Sequence, residues 1–326
     1  MAHLTYLDAG RAALAGEMRR DPAVWAVGED LGRGGVFGQY RGLGEEFGPA
    51  RICDAPISEA AILGVAVGAA MLGTRPVVEM RFADFALCAM DELVNQAAKA
   101  RFMFGGQARV PIVVREPIGM WRSSAAQHSQ SLEAWYAHIP GLIVACPATP
   151  ADAAGLLRSA IRCDDPVVFM EHKNLWGLEG EVPDDPDHCI PFGTARLVRT
   201  GRDVTIVSWS AQVHVCTAAA ETLATKGIAA EVIDLRTLWP WDRDAVFASV
   251  EKTGRLLVAH EAVAVGGFGA EVAATVAEQR AAALRAPVRR LGAPRALIGY
   301  APPVEDAVRV TAPMIAAAVQ AMVAGP

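Results

Sequence analysis

Closely spaced cysteines are missing from this sequence of 326 residues. Its six cysteines are never fewer than 17 positions apart, so no CxxC pair exists, and none of the seven histidines forms an HExxH motif. Zinc, iron–sulfur and redox-dithiol sites therefore lack their usual ligand spacing. Thiols this sparse in a chain of this length indicate a reducing compartment rather than a disulfide framework.

A long apolar run and a basic block are also missing. The longest uncharged apolar stretch, residues 60–74, is shorter than the roughly 20 residues that span a bilayer. Lys and Arg total 30 against 36 Asp and Glu, which argues against a nucleic-acid partner. No basic segment precedes an apolar run at the N-terminus, so we expect no signal or transit peptide. We predict a cytoplasmic protein that binds neither nucleic acid nor membrane.

Apolar runs of strand length alternate with runs of helical periodicity. We predict strands over residues 24–28, 51–53, 76–80, 111–115, 142–146, 167–171, 204–209, 230–235, 256–260 and 288–291. We predict helices over residues 7–20, 58–72, 84–102, 213–226, 244–253, 270–284 and 305–322, and one capped by Thr149 with Pro150 in its first turn. Apolar strands separated by helices predict an α/β fold with two doubly wound, mainly parallel sheets. We expect α/β domains at 1–175 and 201–326, joined by a linker at 176–200 that is rich in Pro, Asp and Gly.

A carboxylate at the start of a predicted helix is the first candidate for chemistry. Residues 54–59, Asp-Ala-Pro-Ile-Ser-Glu, follow a predicted strand and open a helix. Ligands of open α/β sheets bind beyond the carboxyl ends of the strands, so Glu59 could act there as an acid or base. Alternatively, Ser58 caps the helix and Glu59 complements its dipole. Taken alone, this segment favours the second interpretation.

Two further segments carry weaker signals. His128 lies in a stretch rich in Ser and Ala between predicted strands, where it could transfer protons, although a surface histidine fits the segment alone better. No GxSxG elbow occurs, so no Ser/His/Asp triad can be assembled. The GGFG turn at 266–269 fails the GxGxxG pattern because the third glycine falls on Val272, and a Walker P-loop is absent.

Taken together, ordered pieces of the chain resemble the beta chain of the thiamine diphosphate-dependent component of 2-oxo acid and acetoin dehydrogenase complexes. These pieces are residues 28–30, 51–59 (RICDAPISE), 64–73, 91–99, 127–130 (QHSQ), 140–142, 160–162, 171–173, 190–193, 232–237 and 266–271. They cover almost the whole chain in order. The resemblance implies a pyrimidine-binding transketolase-like domain followed by a transketolase C-terminal-like domain.

The resemblance implies that the first domain binds the aminopyrimidine of thiamine diphosphate. In that family the glutamate at the position of Glu59 hydrogen-bonds a ring nitrogen and so assists removal of the proton from carbon 2 of the thiazolium. Phe85 matches the aromatic residue that packs on the pyrimidine, and Ile57 and Glu29 match residues that line the same pocket. His128 matches the histidine that assists substrate binding and acyl transfer. The resemblance thus reverses the helix-cap interpretation of Glu59.

The GDG sequence with which the family holds diphosphate and magnesium does not occur here. The resemblance therefore implies an alpha chain that supplies this half of the site, magnesium ligands included, in a two-alpha, two-beta heterotetramer. Some related beta chains also hold a structural potassium ion with carbonyls at the positions of Ile112, Ala160 and Ile161 and with two later residues. Those two are Cys163 and Asp165 here, where Asp and Asn are expected, but each still offers an oxygen ligand.

The implied function is decarboxylation of a 2-oxo acid, or cleavage of acetoin, with transfer of the acyl group to a lipoyl carrier. The segment 171–173 favours the acetoin branch. Relatives are glycine-rich where this chain has Met120, Trp121 and Arg122, which would narrow the substrate channel or bind an anionic group. The substrate itself is left open.

Two alternatives remain. A split transketolase-like subunit would move a two-carbon ketol unit to a carrier protein, and Arg122 would then suit a sugar phosphate. A non-catalytic chain would only stabilise an alpha partner, but the presence of Glu59, Phe85 and His128 argues against that role.

Overall fold

Mainly parallel strands separated by helices build the two larger sheets of the computed structural model, which describes residues 1–324. Contacts between residues divide the chain into two units: 1–118 with 135–192, and 119–134 with 193–324. Because these units do not follow chain order, the domain limits at 175 and 200 stay a prediction. No helix within residues 1–324 is long and apolar enough to cross a bilayer.

The first unit begins with a strand and alternates strands with helices. Its strands are β1 (Ala2–Thr5), β2 (Val24–Gly28), β3 (Ile52–Asp54), β4 (Arg75–Glu79), β5 (Val113–Ile118), β6 (Ile143–Ala145), β7 (Val167–His172) and β8 (Glu179–Val182). The helices up to this point are α1 (Tyr6–Arg20), α2 (Leu43–Phe47), α3 (Glu59–Met71), α4 (Ala83–Ala86), α5 (Ala98–Met103), α6 (Glu133–Ala137) and α7 (Pro150–Arg162).

The main sheet of this unit is parallel, as predicted. Its hydrogen-bonded order is β6-β7-β5-β4-β2-β3. The carboxyl ends of β5, β4, β2 and β3 therefore lie side by side at one edge. An antiparallel pair, β1 with β8, was not predicted, because it joins the first residues of the chain to a segment interpreted as a linker.

Helices α1 and α7 pack on the sheet and on each other. The Thr149 hydroxyl accepts a hydrogen bond from the Asp152 amide at 3.1 Å, and Pro150 occupies the first turn, so the predicted cap is confirmed. Glu17 of α1 accepts two hydrogen bonds from the Arg162 guanidinium, at 2.6 and 2.9 Å. This pair joins the polar edges of the two helices above their shared apolar core.

The single helix predicted over residues 84–102 is wrong. The segment contains α4, a 3₁₀ turn at Leu87–Ala89, a π-helix at Asp91–Ala97 and then α5. Asp91 accepts hydrogen bonds from Asn95 at 2.7 Å and from Gln96 at 3.3 Å, and the second bond spans the five residues of a π turn. Apolar periodicity does not resolve such changes of turn, because each turn type places apolar residues on nearly the same face.

The second unit is built around a five-stranded sheet. Its strands are β9 (Arg196–Arg199), β10 (Val204–Ser208), β11 (Ala230–Asp234), β12 (Thr237–Trp239), β13 (Leu256–Val263) and β14 (Arg289–Ala293). Its helices are α8 (Gln212–Ala224), α9 (Arg243–Thr253), α10 (Gly269–Gln279), α11 (Pro302–Asp306) and α12 (Ala312–Ala324). The sheet order is β14-β13-β10-β11-β9.

One strand of this unit was not predicted, and one predicted helix is wrong. β9 lies inside the segment interpreted as a linker and pairs antiparallel with β11. The helix predicted over 305–322 is two helices: α11 ends at Asp306, and Pro313 lies in the first turn of α12, where its missing amide hydrogen costs no helical bond. Helices α8 and α12 cover one apolar core of the sheet.

Gly141, in the turn before β6, lies against the carbonyl of Ala98. Its φ is +101°, and a Cβ added there would lie 2.0 Å from that oxygen. Gly106 is a matched control, since its φ is +82° and an added Cβ would meet nothing within 4 Å. Both positions require the left-handed conformation, but a close backbone approach distinguishes Gly141.

We expect G106A to lower the free energy of unfolding by about 1–2 kcal/mol, the cost of a left-handed L-residue. G141A should lower it by a further 1–3 kcal/mol or so, because overpacking against a carbonyl forces the backbone to move. Urea denaturation of both variants checks this. Equal losses would show that the Ala98 contact is not tight.

Candidate functional site

The carboxyl ends of β2, β3 and β4 bring four predicted site residues to one edge of the first sheet. Gly28, the last residue of β2, pairs with Asp54 of β3 and with Glu79 of β4. Glu29 follows β2, Ile57 and Glu59 follow β3, and Phe85 follows β4 in α4. Because ligands bind beyond such strand ends in open α/β sheets, this edge is the candidate site.

Helix α3 begins at Glu59, whose side chain is half-buried. Ile57, just before it, is 78% exposed. Ser58 occupies the N-cap position, but its hydroxyl donates to the Pro56 carbonyl at 2.8 Å and caps no amide. The alternative that Ser58 caps this helix is therefore wrong.

Glu29 is buried and faces a guanidinium. Arg81 Nη1 lies 3.3 Å from a carboxylate oxygen of Glu29 and 3.3 Å from one of Asp30. Asp30 adopts a left-handed conformation, with φ +59°, which turns the chain sharply after β2. The arginine thus balances two carboxylates at the edge of the sheet.

Phe85 is half-buried and lies at the end of a series of aromatic contacts. Its ring meets Phe82 edge-on, with centroids 5.4 Å apart, and Phe82 meets Phe37 at 5.8 Å. Phe37 in turn packs on Trp176 at 4.4 Å. The ammonium of the buried Lys173 lies 4.6 Å from the centroid of Phe82. These contacts fix the orientation of the Phe85 ring.

A buried ionic network lies on the central strands behind this edge. The Arg115 guanidinium donates to both oxygens of Glu171, at 2.8 and 3.0 Å, and lies 3.7 Å from Glu79. Glu79 also accepts hydrogen bonds from Tyr40 at 2.9 Å and from Gln39 at 3.3 Å. Burial raises the pKa of Glu79 to about 7, with Arg115 acting against it. This network was not predicted, although charged residues inside apolar strand runs were a signal.

Glu116, beside Arg115 on β5, was also missed. It is fully buried, and burial raises its pKa to about 8; the Tyr136 hydroxyl lowers this pKa and the Asp84 carboxylate raises it, each by less. At neutral pH the group is therefore mostly protonated and can donate a hydrogen bond. Its neighbour Asp84 directly precedes Phe85.

His128 belongs to the other unit, within the segment Gly119–Ala134. It is half-buried, and the segment is closed by a hydrogen bond from the Gly119 amide to the Gln130 carbonyl at 3.2 Å. Met120 is buried, whereas Arg122 is exposed and stacks on Trp121, 4.9 Å from its ring centroid. Of the three bulky residues noted in the sequence, Arg122 is thus the most exposed, and Trp121 is half-buried.

The five residues expected to hold potassium all lie in the first unit: Ile112, Ala160, Ile161, Cys163 and Asp165. Arg75 Nη1 donates to the carbonyls of Ile161 and Cys163, at 3.1 and 2.9 Å. Asp165 forms an ion pair with Arg101 at 2.5 Å. Two guanidinium groups therefore already occupy three of the ligands, an arrangement that does not fit a further cation. Within residues 1–324, no three His, Cys, Asp or Glu side chains gather as a metal site requires.

Two family models match the chain. The pyrimidine-binding domain of transketolase matches residues 2–177, and the transketolase C-terminal domain matches residues 193–315. Both expected domain types are thereby confirmed.

Curated relatives align over nearly the whole chain. The beta subunit of acetoin:2,6-dichlorophenolindophenol oxidoreductase from Cupriavidus necator is 46% identical over 324 residues, 96% of this chain and 95% of the relative. The 2-oxoisovalerate dehydrogenase beta subunit of Bacillus subtilis is 43% identical, with 98% of each chain covered. The mitochondrial pyruvate dehydrogenase E1 beta-1 subunit of Arabidopsis thaliana is 43% identical, covering 94% of this chain and 88% of the relative.

A solved structure described as a split gene transketolase, an inactive beta4 tetramer, has the same fold. Its TM-score is 0.79, and 98% of each chain is covered, at 24% identity. At this identity the likeness supports the transketolase-type architecture alone.

The titration of Glu116 predicts how stability changes with pH. Its pKa of about 8 exceeds the ordinary value of 4.5, so the folded chain binds its proton more tightly than the unfolded chain. Protonated Glu116 makes its full contribution to the free energy of unfolding below about pH 4.5. This contribution is lost as the pH rises from there through 8, by at most about 1.4 kcal/mol per pH unit. E116Q does not titrate, so its stability relative to wild type should rise between pH 5 and 8.5.

Thermal denaturation at matched pH values measures this difference. E45Q, which changes a solvent-exposed glutamate, is the control and should parallel wild type. A difference between E116Q and wild type that stays constant over the range would contradict the raised pKa.

Proposed function

The chain belongs to the family of beta subunits of thiamine diphosphate-dependent 2-oxo acid and acetoin dehydrogenases, and we propose that it supplies the pyrimidine half of a catalytic site that an alpha subunit completes. The observation that carries this proposal is the edge where three neighbouring parallel strands present Glu29, Glu59 and Phe85. A carboxylate, an aromatic ring and an apolar side chain at one sheet edge fit an aminopyrimidine, which needs a hydrogen-bond partner and a flat apolar contact.

Each side chain has a distinct task in this proposal. Glu59 holds a proton at a ring nitrogen of the pyrimidine. Phe85 packs on the ring face, in the orientation fixed by Phe82, and Ile57 covers the ring from the start of α3. When bound, thiamine diphosphate supplies a nucleophilic carbon that attacks the substrate carbonyl. Glu59 therefore contributes general acid–base catalysis to the formation of that nucleophile.

His128 acts later, on the substrate. A half-buried imidazole can hydrogen-bond a developing charge and pass a proton during transfer of the acyl group to a lipoyl carrier. The half-exposed segment around it would admit such a carrier. In this proposal the exposed Arg122 meets an anionic group of the substrate or carrier.

The diphosphate and magnesium require ligands that this sequence does not carry, since the GDG sequence is absent. We propose that the alpha subunit holds both, in a two-alpha, two-beta assembly. Large apolar side chains exposed on the first unit support a partner that covers them, because an apolar surface patch often marks an interaction site. These are Val65 at 60%, Leu72 at 89%, Phe102 at 84% and Met103 at 71%.

Binding of potassium by the five residues at and near the end of α7 stays a prediction, and the charges around these residues disfavour it. Arg75 and Arg101 would repel a cation placed among the five residues. No step of the mechanism passes through it. The cytoplasm is the proposed location, although the Arabidopsis relative is named mitochondrial.

The substrate is proposed only as a class, a 2-oxo acid or acetoin, because relatives named for each lie at 43–46% identity. The segment 171–173 that favoured acetoin is buried: Glu171 pairs with Arg115, and Lys173 packs on Phe82. Its influence on substrate choice would therefore be indirect. A split transketolase activity is the weaker candidate, since that relative shares 24% identity.

Glu59 provides the sharpest test. E59Q keeps the size and some hydrogen bonding of the side chain but removes its acid–base function. We expect hydrogen–deuterium exchange at carbon 2 of bound thiamine diphosphate to slow by about 10²–10⁴-fold in the assembled enzyme.

The control is D244N, which removes another carboxylate from the first turn of a helix, α9. Loss of a helix-dipole interaction costs about 0.3–1 kcal/mol, so D244N should shift melting slightly and leave exchange unchanged. Exchange as fast in E59Q as in wild type would contradict the role of Glu59.

The partner is tested by calorimetry. The chain purified alone should bind thiamine diphosphate weakly, with no magnesium dependence and no turnover. Co-purification with the alpha subunit should restore magnesium-dependent binding and activity on pyruvate, 2-oxoisovalerate or acetoin. Tight, magnesium-dependent binding by the chain alone would refute the shared site.

A further inference from the structure

The segment Gly119–Ala134, which carries His128, adopts a conformation that must be held in place. Arg122, Ser123 and Ala125 have φ values of 49°, 58° and 63°. A left-handed L-residue costs about 1–2 kcal/mol, so such a run persists only where surrounding contacts determine it. The contacts that do so come from the same unit, from β10 and β13.

The first contact fixes the start of the segment. The Met120 amide donates to Oε1 of Glu261 on β13, at 2.7 Å. The other oxygen of this carboxylate lies 3.9 Å from Arg309, which is itself paired with Glu305 and, at 3.2 Å, with Asp306. Glu261 is therefore oriented from both sides.

The second contact fixes the end of the segment. Trp209, directly after β10, donates its indole N–H to Glu133 at 3.0 Å, and both side chains are buried. The indole stacks on His260, with centroids 5.2 Å apart and planes at 17°, and meets Phe268 edge-on at 6.0 Å. A buried hydrogen bond to a carboxylate is among the stronger ones in proteins.

The His260 ring is itself confined by three glycines. A Cβ added at Gly267, Gly269 or Gly292 would lie 2.7 Å from a ring atom. Its Nδ1 donates to the Ala262 carbonyl at 3.0 Å. The ring therefore forms a fixed surface that sets the position of the Trp209 indole.

We infer that Trp209 and Glu261 are positioning residues for His128, which hold both ends of its segment so that the imidazole is presented in one conformation. This inference rests on the proposed role of His128 in acyl transfer. In this inference neither residue acts on the reacting atoms itself. Their effect reaches the reaction through the geometry of the segment between them.

Two matched pairs of variants separate positioning from packing. W209F removes the indole N–H that binds Glu133. W241F makes the same change at another buried tryptophan that meets Phe268, at 6.5 Å, and whose indole N–H has no hydrogen-bond partner among the described residues. E261A removes the acceptor for the Met120 amide, whereas E261Q retains one.

The first measurement is hydrogen exchange by mass spectrometry on the assembled alpha–beta enzyme. In peptides covering residues 121–132, W209F and E261A should exchange at least about tenfold faster than wild type, because the segment opens locally. W241F and E261Q should match wild type. Equal acceleration in W209F and W241F, or none in W209F, would overturn the inference.

The second measurement compares acyl transfer to a lipoyl carrier with reduction of 2,6-dichlorophenolindophenol, a small dye that accepts two electrons from the reacting intermediate and takes up no acyl group. W209F should slow lipoyl transfer by about 10- to 100-fold, because small displacements of a catalytic group have effects of this size. In an H128A background, W209F should have no further effect, since residues that act through one another are not additive. If the double variant instead shows the rate loss of W209F multiplied by that of H128A, the inference is overturned.

The two measurements also separate this inference from the proposed function. If H128A leaves lipoyl transfer unchanged, the proposed role of His128 is wrong. Hydrogen exchange would still decide whether Trp209 and Glu261 hold the segment.

Discussion

The buried positive charge of Arg115 is the constraint on which the first unit depends. It lies on the central strand β5 and balances carboxylates from both neighbours, Glu79 of β4 and Glu171 of β7. A buried charge without a partner is costly, and removing one partner of such a pair typically costs about 3–5 kcal/mol. Glu79 also binds Gln39 and Tyr40, so the glycine-rich stretch after β2 is attached to the same charge. The ion pairs of Arg115 therefore hold together the strands and the loop that form the edge with the candidate site.

The site extends from these ion pairs through contacts of a different kind. Lys173, directly after β7, is buried and places its ammonium against Phe82, which in turn holds Phe85 edge-on. The ring proposed to contact the pyrimidine is thus oriented by a buried cation and by neighbouring aromatic rings. A substitution at Lys173 or Phe82 could therefore change the orientation of the Phe85 ring without itself contacting the ligand.

Much of the fold follows from local patterns, and the exceptions have physical causes. The strand at 24–28 has the predicted limits because an apolar run ends there at a glycine. The pairing of β1 with β8 and of β9 with β11 was missed because strand pairing is non-local. In the site, Glu59, Phe85 and His128 came from the resemblance, not from periodicity. The bonds of Trp209 to Glu133 and of Met120 to Glu261 span 76 and 141 positions, so no local pattern announces them.

During synthesis, the segment that carries His128 is made well before the residues that hold it in place. It is made between two strands of the first unit, yet its contacts lie in the second, and Glu261 emerges 141 residues after Met120. At about 5–20 residues per second, that interval lasts about 7–28 s. The sheet of the first unit can pair during this time, while the segment still lacks its holding contacts. His128, the residue proposed to act in acyl transfer, is thus expected to be among the last parts of the chain to reach its final conformation, although it is encoded in the first half.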